Sequence, residues 1–382
     1  MTGSARKTTI FEHMSGLCRQ LGAINLGQGF PEMGEPAELI AAAQRALAEH
    51  SNQYPPMRGL PQLRAAIAAY YGAAQGLAVD PAEVIVTSGA TEALAASILA
   101  LVRPGDEVIC VQPLYDAYVP LVRRAGGVVR LVSLRPPEWR LELADLAAAI
   151  TPKTRLLILN TPNNPTGTLL DRATLEGIGA LCAEHGLVVL SDEVWEATLL
   201  DGAAPLSALA VDSLRQRTVK VGSAGKIFSL TGWKLGWVVA DPALAEEVAA
   251  IHQFLTFTTP TPLQWAVAEG LALPAPWHAR ERARYAAARA RLVEGLAGAG
   301  FAVLPNSGSW FVLVDLLASG LPAEDAALAE ELVRGGGVGS IPVSAFYEEA
   351  AQTGYLRLCF AKSADVLDEA VARLSQFRSN RA

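Results

Sequence analysis

The sequence predicts an α/β protein: a mostly parallel sheet covered by helices on both faces, three layers deep, joined to a smaller α+β unit. Three observations carry this reading. Between residues 84 and 222, short runs rich in Val, Ile and Leu alternate with Ala-rich stretches of helical period, the mark of βαβ units. Those runs are continuously apolar, as strands buried on both faces must be. Beyond residue 275 the texture changes, and a long Ala/Arg helix leads into a differently ordered set of strands and helices.

In chain order, residues 1–41 are punctuated by Gly and Pro, hold no βαβ unit, and are expected to join the C-terminal unit. Strands are expected at 84–87, 107–111, 128–132, 156–159, 187–190 and 219–222, with helices at 91–102, 115–124, 143–150 and 172–185 between them. The tetrad Arg103-Pro104-Gly105-Asp106 marks one of the turns. The C-terminal unit should hold a helix at 276–296, strands at 301–304 and 310–315, a helix near 324–334 and a strand at 356–360. The expected division is a large unit over 42–275 and a small one over 1–41 plus 276–382. A length of 382 residues suits two domains at roughly 100–200 residues each.

Hydrophobic residues make up 51% and charged residues 18%, which excludes a disordered chain. With 31 Lys+Arg against 38 Asp+Glu the net charge is −7, a poor match for nucleic acid or anionic lipid. Neither partner is expected. The four cysteines (Cys18, Cys110, Cys182, Cys359) form no CxxC pair, so no zinc site or disulfide framework is indicated. Residues 1–13 lack the apolar core of a signal peptide, and the longest apolar stretch, 93–102, is about half a membrane span. A cytoplasmic protein is expected. His13, His50, His185, His252 and His278 are scattered without ligand spacing, and no metal is expected.

Five segments offer chemistry. In Gly222-Ser223-Ala224-Gly225-Lys226, a lysine follows a strand among small residues, and Lys234 lies eight positions on. A desolvated lysine favours its neutral amine, the form that attacks a carbonyl; the alternative is a solvated loop lysine. Asn160-Thr161-Pro162-Asn163-Asn164-Pro165-Thr166-Gly167 is a polar loop at a strand end, where α/β sheets bind ligands, or an ordinary turn. Asp192, in Ser191-Asp192-Glu193-Val194-Trp195-Glu196, is either a helix cap or the partner of a buried cation. In Ser88-Gly89-Ala90-Thr91-Glu92 a strand gives way to a helix; its first N–H groups can bind phosphate, or Thr91 can simply cap it. Arg357, inside the apolar run Tyr355-Leu356-Arg357-Leu358-Cys359-Phe360, needs an anion, from the protein or from a ligand.

Together these meet the needs of a phosphorylated pyridine aldehyde. The sequence resembles the fold-type I, pyridoxal-phosphate-dependent class I aminotransferases, closest to the kynurenine and methionine aminotransferase subgroup. NLGQGFP, NQYPPMRGLPQLR, SGATEAL, NTPNNPTG, SDEVWE, SAGKIFSLTGWKLGW and RLCFAK match in order, from Asn25 to Lys362. The resemblance implies an aspartate-aminotransferase-like fold and pyridoxal 5'-phosphate as cofactor. It implies amino acid and 2-oxo acid substrates, and a homodimer with shared sites. It makes Lys226 the Schiff-base lysine and proton shuttle, Asp192 the partner of the ring nitrogen, and Asn164 a donor to the ring hydroxyl. Ala90, Thr91, Ser223 and Lys234 would cradle the phosphate, Gly89 would shape that turn, and Tyr115 would stack on the ring. Arg357, with Gly29 and Asn164, would hold the substrate α-carboxylate. Tyr54 and Phe257 match positions that enter the neighbouring subunit's site. One residue departs from the pattern: Trp195 stands where the family usually has Tyr.

The reaction expected is ping-pong transfer of an amino group from a methionine, glutamine or aromatic amino acid to a 2-oxo acid. A cysteine-S-conjugate β-lyase on the same scaffold is the alternative, which these motifs barely separate. A cofactor-sensing regulator is disfavoured, because about 24 residues precede the first motif, too few for a DNA-binding domain. Ser223-x-x-Lys226 lacks the K-T-G of penicillin-binding enzymes. Gly27-x-Gly29 lacks the third glycine of a dinucleotide fingerprint.

Overall fold

The computed structural model describes residues 9–381. A two-residue strand, β1 (Ile24–Asn25), comes first. Seven strands follow: β2 (Val84–Thr87), β3 (Glu107–Gln112), β4 (Val128–Ser133), β5 (Thr154–Asn160), β6 (Val188–Asp192), β7 (Thr218–Ser223) and β8 (Gly236–Ala240). These seven build one sheet in the order β2-β8-β7-β6-β5-β3-β4. All neighbours run parallel except β8, which is antiparallel to both β2 and β7. The mostly parallel α/β architecture therefore stands, with one reversed strand that the sequence reading did not place.

β2, β7 and β8 are buried at every residue, and β3, β5 and β6 over most of theirs. Helices cover both faces, among them Gly89–Leu101, Tyr118–Arg124, Arg172–His185 and Pro242–Leu255. Two predicted helix starts move. The helix expected from residue 91 begins at Gly89, with Ser88 as its N-cap and no side-chain cap. Thr91 therefore lies inside the first turn and does not cap it. The helix expected from residue 115 begins at Tyr118, after a turn at 116–117, which leaves Tyr115 outside the helix.

The C-terminal region adds β9 (Ala302–Val303), β10 (Phe311–Asp315), β11 (Val338–Gly339), β12 (Ile341–Pro342) and β13 (Tyr355–Cys359). An antiparallel sheet forms in the order β12-β13-β10-β9. β1 pairs with β11 in parallel, Ile24 opposite Val338, so the N-terminal segment packs with C-terminal elements. The long helix Ala275–Gly298 precedes this sheet. The four cysteines are buried free thiols. No described helix is long and apolar enough to cross a membrane.

The registers gather one edge of the large sheet. Asn160 lies opposite Asp192 at the carboxyl ends of β5 and β6. Gly236, the first residue of β8, lies opposite both Thr87 of β2 and Ser223 of β7. That edge, where α/β sheets leave a crevice beyond their strand ends, carries the site.

Candidate active site

A cavity of about 260 Å³ opens at this edge. Of the residues expected to bind cofactor, it is lined by Gly89, Ala90, Thr91, Tyr115, Asn164, Asp192, Trp195, Ser223, Lys226 and Lys234. Residues up to 145 positions apart (Gly89 to Lys234) thus converge on one crevice. Tyr54 is the exception. It is 83% exposed and meets Phe257 edge to face at 5.7 Å, outside the cavity. Both rings are exposed, as are Phe254 and Leu255, three and two residues before Phe257.

Asp192 ends β6 and is buried. Its Oδ2 accepts from the Tyr118 hydroxyl at 2.6 Å and its Oδ1 from the Val194 N–H at 3.4 Å. Burial pushes its carboxyl up to about 6, although both hydrogen bonds and the Lys226 charge pull the other way. Such a carboxyl has room for a cationic partner.

Lys226 sits in the helical turn Ala224–Ile227 that follows β7. Burial pulls its amine down to about 8, Arg357 and Lys234 acting in the same direction, while Cys359 and Asp192 oppose. That places a neutral, nucleophilic amine within reach of ordinary pH.

At the other end of the cavity, the first N–H groups of helix Gly89–Leu101 have no intrahelical acceptors. Glu92 takes the Ser88 N–H at 2.8 Å and so braces the turn. His252, fully buried, fixes Glu92 in turn at 2.8 Å. A Cβ on Gly236 would lie 2.7 Å from Ala90 N, so β8 presses against the helix start as only glycine allows. Gly89 has φ 76°, and a Cβ there would stand 3.5 Å from Lys234 Nζ. Free N–H groups, a hydroxyl from Ser223 and an ammonium make an anion cradle.

Arg357 comes from β13, opposite Leu313 and Ile341. Its Nη1 donates to Asn164 Oδ1 at 2.7 Å and its Nη2 to the Gly27 carbonyl at 2.6 Å, while Nε is buried without a partner. Burial pulls its guanidinium down. Asn164 Oδ1 is thus engaged by Arg357, which leaves its amide N–H groups as donors in a residue that lines the cavity. Phe311, Phe346 and Phe11 surround the guanidinium at 3.8, 4.9 and 5.4 Å. Gly29 is pressed on this box: a Cβ there would lie 2.5 Å from Phe311 Cζ.

Several residues of the site were not singled out from sequence. Asn160 lines the cavity, accepts the Asn164 N–H at 2.8 Å and donates to the Asp192 carbonyl at 2.9 Å. Tyr118 holds Asp192, and Phe11 reaches Arg357 from helix Ile10–Leu21. Glu193 and Glu196, inside the quoted SDEVWE, turn away from the cavity. Both bind the fully buried Lys220 of β7, Glu196 at 2.7 Å, which locks β6 to β7.

The described arrangement fits pyridoxal phosphate on its own terms: an unpaired buried carboxyl, a depressed lysine and an anion cradle share one cavity. Comparison with known proteins agrees. Residues 22–374 match the family model for aminotransferase class I and II. A probable N-succinyldiaminopimelate aminotransferase of Mycobacterium tuberculosis is 41% identical over 383 residues, covering 96% of each chain. The solved structure of an enzyme of that name from the same organism superimposes with a TM-score of 0.94 at 40% identity, over 98% of this chain and 100% of that one. A methionine aminotransferase of Escherichia coli is 40% identical over 370 residues, 97% of this chain and 96% of the relative. The chain belongs to the class I and II aminotransferases, an enzyme family dependent on pyridoxal phosphate.

Proposed function

We propose that this aminotransferase binds pyridoxal 5'-phosphate in the cavity at the sheet edge. Its amino donors would be methionine, glutamine or aromatic amino acids, and its acceptor a 2-oxo acid, with ping-pong kinetics. The observation that carries the substrate class is the aromatic box around Arg357. One buried cation serves one carboxylate, and Phe11, Phe311 and Phe346 offer apolar surface beside it. A side-chain carboxylate there would lose its water without gaining a partner, which costs several kcal/mol as an order of magnitude, about that of a buried unpaired ion.

The bound cofactor supplies an aldehyde carbon that bonds amines and a conjugated pyridinium ring that draws electrons from the substrate α-carbon. Asp192 would hold the proton on the ring nitrogen, with Tyr118 fixing the carboxylate. Ala90, Thr91, Ser223 and Lys234 would grip the phosphate at the helix start shaped by Gly89. Tyr115 would cover one ring face and Asn164 donate to the ring hydroxyl. Trp195, with an N–H donor and no acceptor, would take part of the role of the usual tyrosine. Lys226 Nζ would first hold the cofactor and then carry the proton to and from the α-carbon. Arg357 would fix the α-carboxylate, and so the bond to be broken, with Gly29 and Asn164 beside it.

Tyr54, Phe257, Phe254 and Leu255 are exposed, and the first two rings meet edge to face. A homodimer in which Tyr54 and Phe257 enter the partner's site gives these rings a use. The division into a large unit (42–275) and a small one (1–41 plus 276–382) would place the cofactor cradle in the first and Arg357 in the second. Four buried thiols suit a reducing compartment, and the cytoplasm is the location proposed.

The test is a half-reaction screen. The cofactor-loaded enzyme is mixed with single amino acids, and loss of the aldehyde-form absorbance is followed together with release of 2-oxo acid. Methionine, glutamine and phenylalanine should convert faster than aspartate. A preference for aspartate or for N-succinyldiaminopimelate would overturn the substrate class.

A further inference from the structure

Lys226 Nζ has no hydrogen-bond partner and no ion-pair partner among the described residues. It lies instead over two indoles, 4.6 Å from the Trp195 ring centroid and 4.8 Å from that of Trp310. The two rings meet edge to face, 5.0 Å apart at 78°, and form two walls of a corner. Trp310 precedes β10, is fully buried, and its indole N–H has no acceptor. Burying an N–H unpaired is costly. A phenylalanine or leucine would fill space without that cost; what the indole adds at this position is an electron-rich face toward the amine.

A second layer supports the corner. Tyr285, from helix Ala275–Gly298, stacks on Trp310 at 5.6 Å and 21°. Its hydroxyl pairs with the Ser229 hydroxyl, three residues beyond Lys226 in the chain. The aromatic layer is thereby tied back to the loop that carries the lysine.

We propose that Trp310 is a positioning residue: with Trp195 it clamps the Lys226 amine between two indole faces and fixes where that amine rests whenever it is not bonded to the cofactor. In a ping-pong cycle the lysine is free for the half in which the cofactor carries the amino group, and its proton must then be delivered from a defined place. Ring quadrupoles attract an ammonium, so the clamp offsets part of the burial that drives the amine toward its neutral form. The proposal rests on Lys226 being the attachment point. Its test uses cofactor-free protein, and therefore reads the clamp whichever lysine the cofactor bonds.

Cofactor-free wild type, Trp310→Leu and Trp310→Phe are labelled with a trace of an amine-acylating reagent from neutral to alkaline pH. The Lys226 peptide is quantified by mass spectrometry to give the pH midpoint of its reactivity. Leucine keeps apolar bulk and removes the ring face; phenylalanine keeps a face. The midpoint should fall by about half a pH unit or more in Trp310→Leu and stay near wild type in Trp310→Phe. Where Trp310→Leu does not fold, Trp195→Leu tests the other wall with the same expected fall. An unchanged or raised midpoint in the leucine variant, or an equal fall in both Trp310 variants, would overturn the clamp.

Discussion

Replacing Asp192 by Asn removes a charge that the cofactor-free protein holds under strain. Burial raises the carboxyl from 3.8 to about 6 in the folded chain. The gap is roughly two pH units, worth about 3 kcal/mol at about 1.4 kcal/mol per unit. The sign follows from which state binds the proton. Below about pH 4 the group is protonated in both states and contributes its full stability. As pH rises toward about 6 the unfolded chain ionises while the folded one does not, and stability is lost; above that the loss is complete. Asparagine does not ionise, and its side-chain oxygen can still accept from the Tyr118 hydroxyl. Urea unfolding of the two cofactor-free proteins, followed by circular dichroism across that range, should show Asp192→Asn gaining on wild type between about pH 4 and 6. The gap should then stay level near about 3 kcal/mol. A gap independent of pH would refute the reasoning, and so would a wild type more stable than the variant at neutral pH.

Three further outcomes follow from the same geometry. Arg357→Lys should lose about ten- to a hundredfold in kcat/KM, because an ammonium cannot copy the planar fork, while bound cofactor remains by absorbance; loss of cofactor would move Arg357 to the cofactor cradle. Trp195→Tyr, which restores a hydroxyl able to donate and accept, should lower the pH at which the bound cofactor's visible absorbance titrates, and an unchanged midpoint would mean that this side chain does not touch the cofactor. Mixing unfolded Tyr54→Ala and Lys226→Ala chains and refolding them together should regain activity, since a mixed dimer holds one complete site; a mixture no more active than its parts would remove Tyr54 from the shared site.

The parts of the site that were legible in the sequence are those built from contiguous strand-end motifs. Lys226, Asp192, Asn164 and the Gly89–Thr91 turn each follow an apolar run, and the sheet registers bring these run ends to one edge. What was not legible depends on register or on distant chain. Asn160 lies within a quoted motif, yet only its pairing opposite Asp192 gives it a place in the site. Phe11 reaches Arg357 across 346 positions of sequence, and no local pattern carries such a contact. Its helix did leave a signal, Thr9 accepting from the Glu12 N–H as an N-cap. Strand β8 begins inside the GWKLGW motif, where Gly236 and Trp237 read as motif residues and not as the start of a strand. Trp310 fell at a predicted strand edge, and its partners Trp195 and Tyr285 come from two other elements.

Lys226 is the residue proposed to hold pyridoxal phosphate in this cavity. Reduction of the cofactor-loaded enzyme with borohydride, followed by peptide mapping, tests it directly. A single reduced pyridoxyl group is expected on the peptide containing Lys226, and none in Lys226→Ala. A label on Lys234, or on any lysine outside the cavity, would contradict it.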